Sequence, residues 1–128
     1  MIGLSIIVPV YNEYEGLKQT LGEMERLLLG DNVEVIIVND GSDTKTAAIL
    51  DNIEEDGIIV IHHSRNKGYG AALKTGLKRV RYDYVGITDA DGTYPNDRFP
   101  EFYRLVKDND LDMVVGARQG QAVHIPWI

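Results

Sequence analysis

The sequence predicts an α/β protein built on a doubly wound, mostly parallel sheet. Short apolar, β-branched runs alternate along the chain with longer stretches that repeat apolar residues every three or four positions. Polar and acidic residues follow several of the apolar runs directly. This alternation is typical of strands that are buried on both faces and connected by covering helices.

Five apolar runs are the predicted strands. Each run is apolar at nearly every position, as expected of a strand with no solvent-facing side. The predicted strands are residues 4–10 (LSIIVPV), 33–38 (VEVIIV), 58–61 (IIVI), 84–88 (YVGIT) and 113–115 (MVV).

Four amphipathic stretches between these runs are the predicted helices. Their apolar residues return at a spacing that places them on one helix face. The predicted helices are residues 17–28, 47–53, 71–80 and 99–106, the last preceded by Pro95 and Asn96 as a start signal. Sheets with this order of elements bind ligands beyond the carboxyl ends of their strands.

Composition and charge exclude several classes of protein. The chain has 128 residues, with 13 basic and 20 acidic side chains and no cysteine. The lack of cysteine excludes a disulfide scaffold and thiolate chemistry, and the acidic balance argues against binding to nucleic acid. No apolar run approaches the roughly 20 residues of a membrane span, and no signal peptide is visible, so we expect a cytoplasmic protein.

The pair Asp89 and Asp91 is the strongest candidate for a functional site. Both residues follow the fourth predicted strand, and extended backbone points residues i and i+2 to the same side. Two carboxylates in one small volume repel each other unless a cation lies between them, and their oxygens suit Mg²⁺ or Mn²⁺. A polar turn, favoured by Gly92 and Pro95, is the alternative interpretation.

The loop after the second predicted strand contains Asp40, whose carboxylate can accept a hydrogen bond from a nucleobase. Gly41 suits a tight turn there, and Ser42 or Asp43 suits the cap of the next helix. These turn and cap roles explain Asp40 less well than a ligand contact does.

The loop after the first predicted strand contains Pro9, Tyr11 and Glu13. Pro9 ends backbone pairing, Tyr11 can stack on a base, and Glu13 can accept a hydrogen bond from a ribose or a base. The alternative for Glu13 is a favourable position at the positive end of the following helix.

The loop that opens the third predicted helix contains Gly68 among other small residues, which allow a phosphate to approach the backbone. Leu73 breaks both the dinucleotide fingerprint and the Walker pattern, and close helix packing is the alternative. His62 and His63 point to opposite faces of a strand, so we interpret them as structural. Arg118 follows the fifth predicted strand, where it is either a phosphate partner or a surface charge.

Two other interpretations of the acidic loop were tested against the sequence. A calcium-binding EF-hand loop that starts at Asp89 fails at Tyr94 and Pro100. Residues 89–93 also resemble the motif of haloacid-dehalogenase-type phosphatases, in which the first Asp is the nucleophile. That motif normally follows the first strand rather than the fourth, so this function is kept only as an alternative.

Five motifs, in the order of the chain, resemble the inverting family 2 glycosyltransferases of GT-A fold. They are SIIVPVYNE, VIIVNDGSD, NKGYGAALKTG, DADGTYP and VVGAR. The last two are most similar to the forms in polyprenyl-phosphate sugar transferases, such as dolichyl-phosphate mannose or glucose synthases.

The resemblance implies a Rossmann-like nucleotide-sugar-binding domain over residues 1–118. We expect residues 119–128 to begin a C-terminal acceptor-side region that is truncated here. The implied metal ligands are Asp89 and Asp91, with Asp91 also the catalytic residue, and Arg118 is implied to bind phosphate. The implied nucleotide-sugar contacts are Pro9, Tyr11, Glu13, Asp40, Gly68, Asp89, Ala90 and Asp91.

The implied reaction moves a hexose, with inversion, from a GDP-mannose or UDP-glucose type of donor to a polyprenyl phosphate or a similar acceptor. The implied cofactor is Mg²⁺ or Mn²⁺. A phosphate acceptor is already anionic and needs no protein base, whereas an alcohol needs one. Peripheral contact with the cytoplasmic face of the membrane is expected from the C-terminal part. A catalytically silent nucleotide-sugar-binding fragment is the other alternative.

Overall fold

A computed structural model of the chain describes residues 2–93 and 95–111, in which strands and helices alternate. The strands are β1 (Leu4–Val10), β2 (Val33–Asp40), β3 (Ile58–His63) and β4 (Tyr84–Ile87). The helices are α1 (Leu17–Leu27), α2 (Thr44–Asp51), α3 (Tyr69–Leu77) and α4 (Phe99–Asp108), with a 3₁₀ turn at Asn96–Arg98. Four predicted strands and four predicted helices are therefore confirmed, and the predicted strand at 113–115 lies outside the described residues.

The four strands form one parallel sheet in the order β3-β2-β1-β4. β1 pairs with β2 from Leu4↔Val33 to Val10↔Asn39, and its other edge pairs with β4. The chain thus moves outward from β1 through β2 to β3, then returns to the far side of β1 for β4. This reversal confirms the doubly wound fold and creates a switch point, beside which such sheets bind ligands.

The central strands β1 and β2 are buried on both faces. Ile7, Ile36 and Val38 share one face of the sheet and pack with Ala72 of α3. The helix lies very close to this face, because a Cβ atom added at Gly76 would be 2.7 Å from Cγ2 of Ile7. Packing of Ala72 and Gly76 against the sheet therefore holds the start of α3 near the carboxyl ends of the strands.

The chain divides into two compact units, residues 1–97 and residues 98–128. The first unit contains the sheet, helices α1 to α3 and the loops at the carboxyl ends of the strands. In the second unit, the described residues form α4 and a turn in which the N–H of Leu111 donates to the carbonyl of Val106. The predicted domain boundary at residue 118 lies outside the described residues. Among the helices that the structure describes, none combines the length and apolar character that crossing a bilayer requires.

Candidate functional site

A cleft of about 410 Å³ lies at the carboxyl ends of the strands in the first unit. Its lining residues come from the ends of β1 and β2, from the loops after β1, β3 and β4, and from the first turn of α3. They are Pro9, Val10, Tyr11, Glu13, Asp40, Asn66, Gly68, Tyr69, Ala72, Asp89, Ala90 and Asp91. All eight residues predicted to contact a nucleotide sugar line this cleft. Arg118, the ninth predicted site residue, lies outside the described residues.

The carboxylate of Asp40, the last residue of β2, is occupied by four hydrogen bonds. Its Oδ1 accepts from Nδ1 of His63 and from the N–H of Lys67, each at 2.8 Å. Its Oδ2 accepts from Nδ2 of Asn66 at 3.0 Å and from the N–H of Gly68 at 2.9 Å. A carboxylate offers about four lone-pair positions, so these donors fill them. A bond from a nucleobase to Asp40 would replace one of the four, and that contact stays a prediction.

The same contacts keep Asp40 ionised although only 3% of its surface is exposed. Burial raises the pKa of this carboxyl group. The hydrogen bond from His63, the N–H groups of Lys67 and Gly68, and the electrostatic attraction to His63 outweigh burial and lower the pKa below its ordinary value of 3.8. The carboxylate is therefore available at neutral pH as an acceptor for all four donors.

His63, the last residue of β3, pairs in register with Asp40. Because an ionised carboxylate only accepts hydrogen bonds, Nδ1 of His63 carries the hydrogen in the bond to Asp40. On the other side of the ring, Nε2 lies 2.8 Å from Oγ1 of Thr75 in α3. The sequence pattern did not reveal this link, because the predicted third strand ended at Ile61. The predicted second strand also ended two residues early, and the register that pairs Asp40 with His63 is given only by the structure.

His62 points to the opposite face of the sheet from His63, as predicted for adjacent residues of a strand. Its Nδ1 bonds to Nδ2 of Asn39 at 2.9 Å, and its Nε2 lies 3.4 Å from Asp51. These contacts fit the structural role predicted for His62.

The loop after β1 is tied to the loop after β2 through Asn12. The N–H of Asn12 donates to Oγ of Ser42 at 3.1 Å, and its Oδ1 accepts from the N–H of Asp43 at 2.7 Å. Asp43 in turn caps α2 by accepting from the N–H of Thr46 at 2.9 Å, which confirms the predicted cap. These bonds hold the neighbouring Tyr11 beside the cleft, where 53% of its surface is exposed.

Glu13 lines the cleft and also contacts the start of α1. Its Oε1 accepts from the N–H of Gly16 at 3.4 Å. This hydrogen bond supports the alternative role of Glu13 at the start of the helix. The contact of Glu13 with a ligand stays a prediction.

The loop that carries Asp89 and Asp91 lies against α1. A Cβ atom added at Gly16 would be only 2.2 Å from the carbonyl carbon of Asp91, so the backbones touch there. Nε2 of Gln19, one turn further along the helix, donates to the carbonyl of Gly92 at 3.2 Å. Sequence reasoning missed Gly16 and Gln19, because nothing in their local pattern points to a loop more than 70 residues away.

Hydrogen bonds around the same loop close its base and orient Asp91. Oγ1 of Thr88 donates to Oδ1 of the buried Asn96 at 2.6 Å, which closes the base of the loop. Oδ1 of Asp91 accepts from the N–H of Thr93 at 2.9 Å and from its hydroxyl at 2.6 Å. The carboxylate of Asp91 is thus held in one orientation at the cleft.

Asp89 and Asp91 offer hard oxygen ligands that suit Mg²⁺ or Mn²⁺. Over residues 2–93 and 95–111, no three acidic or histidine side chains are grouped so that they could hold a metal ion by themselves. A divalent ion fits this pair if oxygens of a bound ligand complete its coordination.

A parallel sheet with a cleft at its switch point, here with acidic side chains in its lining, defines the class of α/β ligand-binding domains. Within that class, the sequence profile described as "Glycosyl transferase family 2" matches residues 5–125. The chain therefore belongs to glycosyl transferase family 2, which confirms the resemblance carried by the five motifs.

Curated relatives are similar over most of this chain and are much longer. The low-salt glycan biosynthesis hexosyltransferase Agl6 of Haloferax volcanii is 34% identical over 118 residues, which are 90% of this chain and 27% of Agl6. The dolichol-phosphate mannosyltransferase of Pyrococcus furiosus is 29% identical over 116 residues, which are 90% of this chain and 33% of the relative. The chain thus spans between a quarter and a third of the length of these relatives.

Solved structures of glycosyltransferases share the fold. Staphylococcus aureus TarS (residues 1–349) matches with a TM-score of 0.77 at 20% identity, covering 98% of this chain and 39% of TarS. The mannosyltransferase PcManGT from Pyrobaculum calidifontis, in complex with GDP-Man and Mn²⁺, matches with a TM-score of 0.67 at 23% identity, covering 80% of this chain and 32% of PcManGT. These likenesses confirm the GT-A type of α/β fold.

Proposed function

We propose that this chain binds the donor in a glycosyltransferase that moves a hexose from a nucleotide-diphosphate sugar to an acceptor with inversion. The observation that carries the proposal is the meeting of three loops, after β1, β3 and β4, with the end of β2 at one cleft in a chain of family 2. The similarity to a mannosyltransferase in complex with GDP-Man and Mn²⁺ supports this choice of donor.

Asp89 and Asp91 are the residues that would hold Mg²⁺ or Mn²⁺. When bound, the ion neutralises charge on the leaving nucleoside diphosphate. Thr93 keeps the carboxylate of Asp91 in place through its N–H and its hydroxyl. Because Asp91 lines the cleft and would hold the ion that neutralises the leaving diphosphate, we assign it the catalytic role.

The remaining cleft residues bind and orient the nucleotide. The exposed ring of Tyr11 offers a flat apolar surface on which a base stacks. Glu13 offers a carboxylate to the ribose, and Asp40 orders the segment that ends at Gly68. Arg118, the predicted phosphate partner, lies outside the described residues and remains part of the proposal only.

The acceptor in this proposal is a polyprenyl phosphate. The support comes from the DADGTYP and VVGAR motifs and from the similarity to a dolichol-phosphate mannosyltransferase. A phosphate oxygen is already a nucleophile, so it attacks the sugar opposite the diphosphate without a protein base.

The other functions raised by the sequence have less support. The phosphatase alternative has none, because the acidic loop follows β4 and the chain belongs to a glycosyltransferase family. A silent nucleotide-sugar-binding domain differs from the proposed enzyme only in turnover. Release of nucleoside diphosphate in the presence of polyprenyl phosphate separates the two.

Nucleotide binding is the first test of the proposal. We would measure the melting temperature with GDP, UDP and CDP, each with and without Mn²⁺. A ligand at about 100 times its dissociation constant adds about 2.7 kcal/mol, which raises the melting temperature of a domain of this size by roughly 10 °C. We expect one nucleotide to produce such a shift, and only with the metal.

Two matched variants make the test specific. Asp91→Asn removes a proposed metal ligand and should abolish the metal-dependent shift. Asp56→Asn makes the same chemical change at an exposed position outside the cleft and should keep the shift. The absence of a shift with every nucleotide, or an equal loss in both variants, would contradict the proposed function.

A further inference from the structure

A line of buried hydrogen bonds connects α3 to the cleft through β3 and β2. It starts at Oγ1 of Thr75, passes through the ring of His63 and reaches Oδ1 of Asp40, with both steps at 2.8 Å. The side chains of His63 and Asp40 are only 7% and 4% exposed. From Asp40 the line continues to the backbone N–H groups of Lys67 and Gly68.

The segment held by these bonds forms one side of the cleft. Asn66 and Gly68 are lining residues, and Tyr69, the next lining residue, is the first residue of α3. Gly41 lies against the start of the same segment, since a Cβ atom there would be 2.4 Å from the backbone N of Asn66. The position of this side of the cleft therefore depends on the orientation of the Asp40 carboxylate.

The orientation of that carboxylate depends on His63. The other three donors to Asp40 belong to the segment that it holds, whereas His63 belongs to the sheet. His63 is thus the donor that fixes Asp40 relative to the framework. Without His63, the buried carboxylate of Asp40 keeps only the donors of residues 66–68, which belong to the segment that it holds. One of its acceptor positions is then left without a hydrogen bond, which is unfavourable for a buried charge.

We propose that His63 is a positioning residue for nucleotide binding. By holding the carboxylate of Asp40, it keeps residues 66–68 in the form that lines the cleft. This inference rests on the proposed function, because it presumes that the cleft takes a nucleoside diphosphate.

Thr75 supports His63 in either protonation state of the ring. In the neutral ring, Nε2 accepts from the hydroxyl of Thr75, and in the charged ring Nε2 donates to the same oxygen. The hydroxyl group can turn to serve both cases. Removing the hydroxyl of Thr75 leaves the carboxylate of Asp40 with all of its donors. We therefore expect Thr75 to contribute less to nucleotide binding than His63.

Two amide substitutions at position 63 separate positioning from packing. In His63→Asn, the side-chain amide nitrogen stands near the place of Nδ1 and still donates to Asp40. In His63→Gln, the amide nitrogen stands near the place of Nε2 and reaches Thr75 instead. Both variants place a similar polar group at the buried position. If His63 serves only in packing, the two variants should therefore lose similar amounts of nucleotide affinity.

The affinity for the nucleoside diphosphate that binds the wild-type chain, measured calorimetrically with Mn²⁺, is the first readout. We expect His63→Gln to weaken binding about tenfold, which corresponds to losing one charge-assisted hydrogen bond. We expect His63→Asn and Thr75→Val to stay within about threefold of the wild type. The control His62→Gln, which changes a histidine bonded to Asn39, should bind like the wild type.

The second readout needs no ligand. The amide proton signals of Lys67 and Gly68 report their bonds to Asp40, and their hydrogen exchange reports how firmly the segment is held. We expect His63→Gln to shift both signals and to speed exchange at both sites, while His63→Asn keeps both near the wild type.

The two readouts distinguish the ways in which the inference can fail. If the wild-type chain binds a diphosphate and His63→Gln binds it equally well, the positioning role is wrong and the proposed function stands. Equal losses in the Asn and Gln variants would reduce His63 to a packing residue, which also overturns the inference. If no diphosphate binds the wild-type chain, the proposed function fails and the positioning role fails with it, whatever the amide signals show.

Discussion

At the scale of single residues, the site depends on which hydrogen bonds its acidic side chains accept. Asp40 is buried and receives four hydrogen bonds, whereas Asp91 is exposed and receives two from Thr93. The two carboxylates therefore suit different tasks. Asp40 organises the protein, whereas Asp91 lies at the surface of the cleft, as the proposed role in metal binding requires.

The lowered pKa of Asp40 predicts a stability change at acidic pH. A carboxyl group with a lowered pKa in the folded protein contributes stability that is complete above its ordinary value of 3.8 and is lost as the pH falls through the lower folded value. We expect Asp40→Asn to be clearly less stable than the wild type at neutral pH, and this difference to shrink below pH 3.8.

Urea unfolding at a series of pH values measures this difference. Asp56→Asn, at an exposed position, serves as the control and should unfold like the wild type throughout. A difference between Asp40→Asn and the wild type that stays constant down to about pH 2 would show that the bonds to Asp40 do not depend on its charge.

At the scale of elements, loops are placed by contacts with elements far away in the chain. The loop with Asp89 and Asp91 follows β4 but rests on α1, through Gly16 and Gln19. The segment before α3 rests on the end of β2. Parallel strands bring these loops to one edge, and contacts with the start of α1 and with the end of β2 then determine where the two loops lie.

The contact between α1 and the acidic loop predicts the effect of a methyl group at position 16. In Gly16→Ala the new Cβ atom meets the backbone of Asp91, so the loop must shift. We expect a loss of about 1–3 kcal/mol in the free energy of unfolding, as for other overpacked sites. We also expect metal-dependent nucleotide binding to weaken about tenfold, because Asp91 moves with the loop.

Gly22→Ala is the matched control for this change. Gly22 lies in the same helix, and a Cβ atom there meets nothing within 4 Å. Alanine is a better helix former than glycine by up to about 1 kcal/mol, so this variant should be as stable as the wild type or slightly more stable. Calorimetry and urea unfolding of both variants test the contact, and equal nucleotide affinities would contradict it.

At the scale of the whole molecule, the sheet supplies the rigidity that the loops need. β1 lies between two parallel neighbours, and Ile6, Ile7 and Val8 in it are no more than 1% exposed. The end of such a strand has a fixed position in the cleft. Hydrogen bonds therefore need to order only the loops around it.

The burial of β1 predicts that its core residues dominate stability. We expect Ile7→Ala to lower the free energy of unfolding by about 3 kcal/mol, since it opens a cavity under α3. Leu29→Ala, at a position that is 86% exposed, should change stability by less than about 0.5 kcal/mol. Urea unfolding measures both values, and a similar small effect for the two variants would show that this face of the sheet is not tightly packed.

Much of the fold could be predicted from the sequence because its signals are local. Apolar runs and helical spacing depend on near neighbours, and they predicted the type of each element that the structure describes up to α4. The prediction of strand ends was less accurate, as the third strand shows. Its last residues, His62 and His63, are polar, so the apolar run alone ended too early.

By itself, the sequence determined the alternating fold, the family and eight of the twelve residues that line the cleft, since parallel strands bring the loops at their carboxyl ends to one edge. Only the tertiary structure decided what those residues do to one another. Asp40 and Gly68 are 28 positions apart, and Gly16 and Asp91 are further apart still, so no local pattern records their contacts. Such contacts arise when packed elements bring distant loops together, and here they decide which carboxylate is buried inside the protein and which one lies exposed at the cleft.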